Sequence, residues 1–180
     1  AYGGSGACLN LPVEPYTEDD SWLECFGTAL EKAASVFRPD VIVSQHGCDA
    51  HAFDPLAHIH CSMRIYREMP RMIREAADRY AQGRWVALGG GGYDHWRVVP
   101  RAWGLLWLVM SGHPLLDAID AGTDGSRLPA GWPAPETGDC PPQMPVTWLD
   151  DTSIWMPMPR RGEISENNRK MLELALQHLG

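Results

Sequence analysis

Asp49 and Tyr93 are the residues whose types, taken with their neighbours, could do chemistry. Asp49 stands in His46-Gly47-Cys48-Asp49-Ala50-His51, just past a short β-branched run at 41–43, and Tyr93 closes the four-glycine stretch 89–92 that follows apolar 85–88. A carboxylate can hold a metal ion. A phenol beside it can donate a hydrogen bond to a carbonyl oxygen and stabilise the oxyanion that forms when water attacks. Each residue also has a plainer role: an Asp after a strand often caps a helix or forms a turn, and a tyrosine can simply pack its ring. The histidines at 46, 51, 58 and 60 lack the tight pairing of a self-contained zinc site, so surface or hydrogen-bonded core roles suit several of them. The glycines lack the Lys and Ser/Thr of a phosphate loop. They suit close backbone approach and a sharp turn that brings Tyr93 to a rim.

The elements that must position this pair follow from periodicity. Runs 41–45 and 85–88 read as buried strands, each followed by a helix, so in one sheet they are parallel and their exit loops open on the same edge. Thr17 is expected to cap a helix that ends at Phe37, with Trp22, Phe26, Leu30, Ala33 and Phe37 on its inner face. Ser62 is expected to cap a second helix, kinked or split at Pro70, with a basic face (Arg64, Arg67, Arg71, Arg74) that reads as solvated. Residues 7–13 read as another strand. Residues 95–110 read as a helix that is apolar nearly all round from Trp103 to Met110, and so sandwiched between the sheet and another layer. Nine of the fifteen prolines fall within 112–160, which reads as a long wrapping loop pinned by Trp132, Trp148 and Trp155, before a helix capped by Ser165. Residues 1–180 are expected to be one α/β domain or a part of a larger one, with its core at 7–112 and the wrapping loop and terminal helix at 113–180.

Composition excludes several classes of function. A net charge of −8 argues against duplex nucleic acid as a partner. Five cysteines without a C-x-x-C pair fit reduced thiols and a cytoplasmic location, and the apolar stretch 102–110 is too short to span a bilayer.

Residues 46–56, His-Gly-Cys-Asp-Ala-His-Ala-Phe-Asp-Pro-Leu, resemble the G-x-D-x-x-x-x-D-P-L segment of the histone deacetylase family. Residues 88–93 resemble its glycine-rich segment ending in tyrosine, and Asn10-Leu11-Pro12 its N-[VIL]-P strand. The likeness covers most of 8–112 and is greatest to the bacterial acetoin-utilisation branch. It implies the C-terminal portion of an arginase/deacetylase-like α/β fold, a parallel sheet with flanking helices. It also implies Zn2+ as cofactor and hydrolysis of acetyl-lysine amides in proteins, an acyl-CoA-forming enzyme being one candidate substrate. By matching position, Asp49 would be one zinc ligand and Tyr93 the donor to the acetyl oxygen. Leu56, Gly91 and Gly92 would line the slot for the lysine stem. The family's His-His and Asp-x-His motifs belong upstream of the N-x-P strand, in a segment which these 180 residues do not include; Asp49-Ala50-His51 also spells Asp-x-His but lies at the later motif. His51 is therefore not assigned to zinc, and the chain alone is expected to be inactive. Alternatives are an acetylpolyamine amidohydrolase on the same fold and a noncatalytic assembly fragment.

Overall fold

In the computed structural model, which describes residues 8–132, 141, 143–177 and 179, strands β1 (Ile42–His46) and β2 (Trp85–Gly89) pair in parallel. Val43 lies opposite Val86 and His46 opposite Gly89, so both strands end at one edge of the sheet. Helices α1 (Asp19–Phe37) and α2 (Met63–Tyr80) lead into the two strands, and α3 (Val99–Ser111) follows the second. The chain continues through α4 (Leu115–Asp120), two 3-10 turns and α5 (Arg161–Leu176). None of these helices is long and apolar enough to cross a membrane.

The core lies between α2 and α3, where Met63, Ile65, Tyr66, Val98, Ala102, Leu105, Leu108 and Val109 are buried together. Ser62 caps α2 as expected, accepting from the Arg64 N–H at 3.1 Å while Asp19 accepts from its hydroxyl and its N–H. Pro70 does not divide the helix. It is fully buried within a continuous α2, and that packing offsets the backbone hydrogen bond it cannot donate. The basic face of α2 is not merely solvated. Arg64 pairs with Asp20 of α1, Arg67 and Arg71 both pair with Asp120 of α4, and Arg74 donates to the Val109 carbonyl at 2.7 Å.

Several expectations are corrected. Residues 8–13 form no strand and residue 7 lies outside the described residues; a strand needs a ladder partner, and β1 and β2 pair only with each other. Thr17 does not cap α1, because its hydroxyl donates to the Glu14 carbonyl and accepts from Asn168; the cap position is Glu18. The fully buried residues of α1 are Ser21, Leu23, Cys25 and Ala34, on two sides of the helix, and of the expected stripe Trp22 packs against the core. The larger stripe ends in Phe37, which is 81% exposed, and borders an open apolar groove with Leu9, Val41 and Val43. Helix α3 starts four residues later than expected, and its stripe Trp103, Trp107, Met110 is exposed, so no second layer covers it among the described residues. Helix α5 begins at Arg161 and not after Ser165, with Asn168 and Leu172 inward. The segment between holds Trp148 buried against Trp132, their rings 5.3 Å apart and edge-on, and Trp155 against Phe53, His51 and His60. Helix α4 lies in this stretch, which had read as loop throughout.

Candidate functional site

The ends of β1 and β2 bring Asp49 and Tyr93 to the same point. A Cβ built on Gly91 would lie 3.2 Å from Asp49 Oδ2 and 3.6 Å from the Tyr93 hydroxyl, so the two groups flank the bare Cα of Gly91. Asp49 is half-buried and Tyr93 is 46% exposed, which places the phenol at an open mouth. Leu56 is 62% exposed on the rim of the same loop, so the apolar wall expected there stands open to solvent.

Backbone contact between the two loops explains the glycines. The Cys48 N–H donates to the Gly91 carbonyl at 2.5 Å. A Cβ on Gly90 would lie 2.7 Å from the Gly47 nitrogen, and one on Gly92 2.6 Å from Cys48 Cβ. Gly92 also adopts φ +144°, a conformation side chains rarely take, just before Tyr93. From the core side the Tyr66 hydroxyl donates to the Cys48 carbonyl at 2.8 Å. Burial and the neighbouring carboxylates of Asp49 and Asp54 push the Cys48 thiol up to about 12, so it remains protonated and is no nucleophile.

The histidines beside the site are occupied as hydrogen-bonding core groups. His51 Nδ1 accepts from the Phe53 N–H at 3.0 Å, so the proton of the neutral ring sits on Nε2, which donates to Asp150 at 2.9 Å. Both ring nitrogens are thus taken. Asp150 also accepts from Arg101 at 2.9 Å and from the Met63 N–H at 2.8 Å, tying the 46–56 loop, α2 and α3 together through one buried carboxylate. Burial opposes its charge, yet the bonds from His51, Arg101 and Met63 prevail and hold Asp150 down at about 2. Burial also draws Arg101 below the usual guanidinium range, but a guanidinium stays charged across ordinary pH, so the pair is ionic. His46 Nε2 lies 2.7 Å from Ser44 Oγ, which accepts from the Trp85 indole at 2.7 Å. Burial lowers the His46 pKa. His58 is exposed, with its ring edge-on to Tyr16, and His60 packs on Trp155.

The donors do not make a metal centre by themselves. Among the described residues no group of three or more His, Cys, Asp and Glu side chains is placed to hold an ion, and Asp49 offers one carboxylate where a zinc site takes three protein ligands. Sequence reasoning assigned no role to Asp54, Arg101 or Asp150. Asp54 was visible in the Asp-Pro-Leu run. Asp150 carried no signal, since 99 positions separate it from His51.

The family model described as "Histone deacetylase domain" matches residues 1–110. The acetoin utilization protein AcuC of Bacillus subtilis strain 168 is 44% identical over 173 residues, 96% of this chain and 42% of that protein. AcuC of Staphylococcus xylosus is 40% identical over 96% of this chain and 43% of its own length. The chain thus spans less than half of these relatives. Among solved structures, an HDAC homologue complexed with SAHA is 26% identical with a TM-score of 0.61, covering 92% of this chain and 41% of that one. An HDAC homologue from Aquifex aeolicus is 25% identical with a TM-score of 0.60 over the same shares. The fold expected from the sequence, a portion of the deacetylase-like α/β fold, is therefore the one found.

Proposed function

The chain belongs to the histone deacetylase family, and from that premise we propose that it is the part of a zinc-dependent lysine deacetylase that supplies one metal-binding carboxylate and the carbonyl-binding phenol. The observation that carries this reading is the convergence of Asp49 and Tyr93 on Gly91. The Tyr93 hydroxyl would donate to the oxygen of an acetyl group and strengthen that bond as negative charge develops there. Gly91 and Gly92, without side chains, leave room for the acyl group, and Leu56 offers apolar surface to the methylenes of the lysine stem. Asp49 would share a zinc ion with donors that the described residues do not provide, so no catalytic step is derived through the metal. The expected substrate is an acetylated protein, an acyl-CoA-forming enzyme being one candidate.

The test compares the 180-residue chain alone with the chain joined to the part of the Bacillus subtilis relative that it does not match. Acetyl-lysine peptides and acetylated polyamines are offered to both. The chain alone is expected to hold little zinc and to turn over neither. The joined protein is expected to deacetylate the peptide, to lose zinc on Asp49→Ala, and to lose about 10²–10³ in kcat on Tyr93→Phe. Stoichiometric zinc and turnover by the chain alone, or a folded joined protein indifferent to Tyr93→Phe, refutes the reading. Preference for the polyamines would establish the amidohydrolase instead.

A further inference from the structure

We infer that Asp54 is the positioning residue that fixes the Tyr93 phenol relative to Asp49, an inference that rests on the reading of Tyr93 as the carbonyl donor. Asp54 is buried, 8% exposed, and its carboxylate accepts three backbone N–H groups. Oδ2 takes the Tyr93 N–H at 2.9 Å, while Oδ1 takes those of Leu56 at 2.9 Å and Ala57 at 3.0 Å. Its own N–H donates to the His51 carbonyl at 2.9 Å. Thus one side chain of the loop that carries Asp49 grips the backbone that carries the phenol, 39 positions away in sequence.

The geometry explains why the residue is an acid. Both oxygens must accept, and Asn has only one acceptor; its NH2 would face either the Tyr93 N–H or the pair at Leu56 and Ala57. Tyr93 is also gripped from its other side. Gly92, at φ +144°, packs so closely on Cys48 that a Cβ there would collide with it. Cys48 and Asp54 flank Asp49 in one loop, so the loop that carries the carboxylate also holds the backbone of the phenol on both sides.

The test uses the full chain labelled with 3-fluorotyrosine, whose five tyrosines give separate 19F lines; Tyr93→Phe assigns one of them. In the parent the Tyr93 line is expected to move on Asp49→Asn, because the hydroxyl lies beside that carboxylate. With Asp54→Asn or Asp54→Ala the Tyr93 line should shift, broaden and lose its response to Asp49→Asn. The Tyr66 line, from a hydroxyl held at Cys48, should stay in place. A Tyr93 line that still answers to Asp49→Asn in both variants overturns the inference. Collapse of the Tyr66 line together with that of Tyr93 in both variants assigns Asp54 to folding alone and also overturns it. The readout needs no turnover, so it stands apart from whether deacetylation is found.

Discussion

Replacing Gly90 by Ala should be among the most damaging changes a single methyl group can make in this chain. The new Cβ would lie 2.7 Å from the Gly47 nitrogen, 2.8 Å from Gly47 Cα and 3.1 Å from the His46 carbonyl carbon, where ordinary contact begins at 3.4 Å. Every atom it meets is backbone, so no side chain can rotate away, and the loops must part by roughly 0.7 Å. Overpacking of this kind costs about 1–3 kcal/mol. The 2.5 Å bond from Cys48 to Gly91 crosses the same gap, and weakening it adds about 1 kcal/mol. The sum, about 2–4 kcal/mol, is a large part of the stability of a small domain. Urea unfolding followed by tryptophan fluorescence reads it as a fall in midpoint at constant slope. Gly162→Ala is the matched control: nothing lies within 4 Å of its Cβ position near the start of α5, so it should leave stability unchanged or raise it by up to about 1 kcal/mol. A Gly90→Ala variant within about 0.5 kcal/mol of the parent refutes the account of the glycines as backbone spacers.

Four further outcomes are expected. Asp150 titrates near 2 when folded against an ordinary value of 3.8, so its stabilising charge is fully present above about pH 4 and is lost as pH falls towards 2, a change of about 2 kcal/mol in acid unfolding. Asp150→Asn strands the Arg101 charge in the core and should cost about 3–5 kcal/mol, part of which Arg101→Met in the same chain restores. Asn168 accepts from the Glu14 N–H and donates to Thr17 and Ser21, so Asn168→Ala should cost about 2–4 kcal/mol and speed hydrogen exchange in α5 before α2. Val43 and Val86 face solvent from neighbouring strands, 61% and 48% exposed; changing both to Thr should move stability by less than about 0.5 kcal/mol while reducing binding of a hydrophobic dye.

The meeting of Asp49 with Tyr93 was legible because two strands followed by helices in one sheet must open their exit loops on one edge, and the glycine stretch was legible as a close approach for the same reason. What the sequence hid depends on partners distant along the chain. The Asp150 tie to His51, Met63 and Arg101 follows no periodicity. Apolar spacing showed only one of the two packed sides of α1: Trp22 does pack against the core, but Ser21 and Cys25, on another side of the helix, meet Asn168 of α5, a contact made by small and polar residues that leave no apolar stripe. The start of α5 was displaced because Arg160 enters it from a left-handed conformation, φ 62°, with no side-chain cap to advertise it. The basic stripe of α2 looked like a wet surface because its partners, Asp20 and Asp120, lie on other helices.

The bond from the Trp85 indole to Ser44, continued to His46, acts as a key between two strands that few other side-chain contacts align. A slip of one residue along a strand moves it by about 3.3 Å and turns each side chain to the opposite face. Such an error would pass undiminished to the loops and pull acid and phenol out of reach of each other. The indole therefore works as a pin in a keyed joint: its bond to Ser44 fits the observed pairing of β1 with β2, the one that leaves a site at its end.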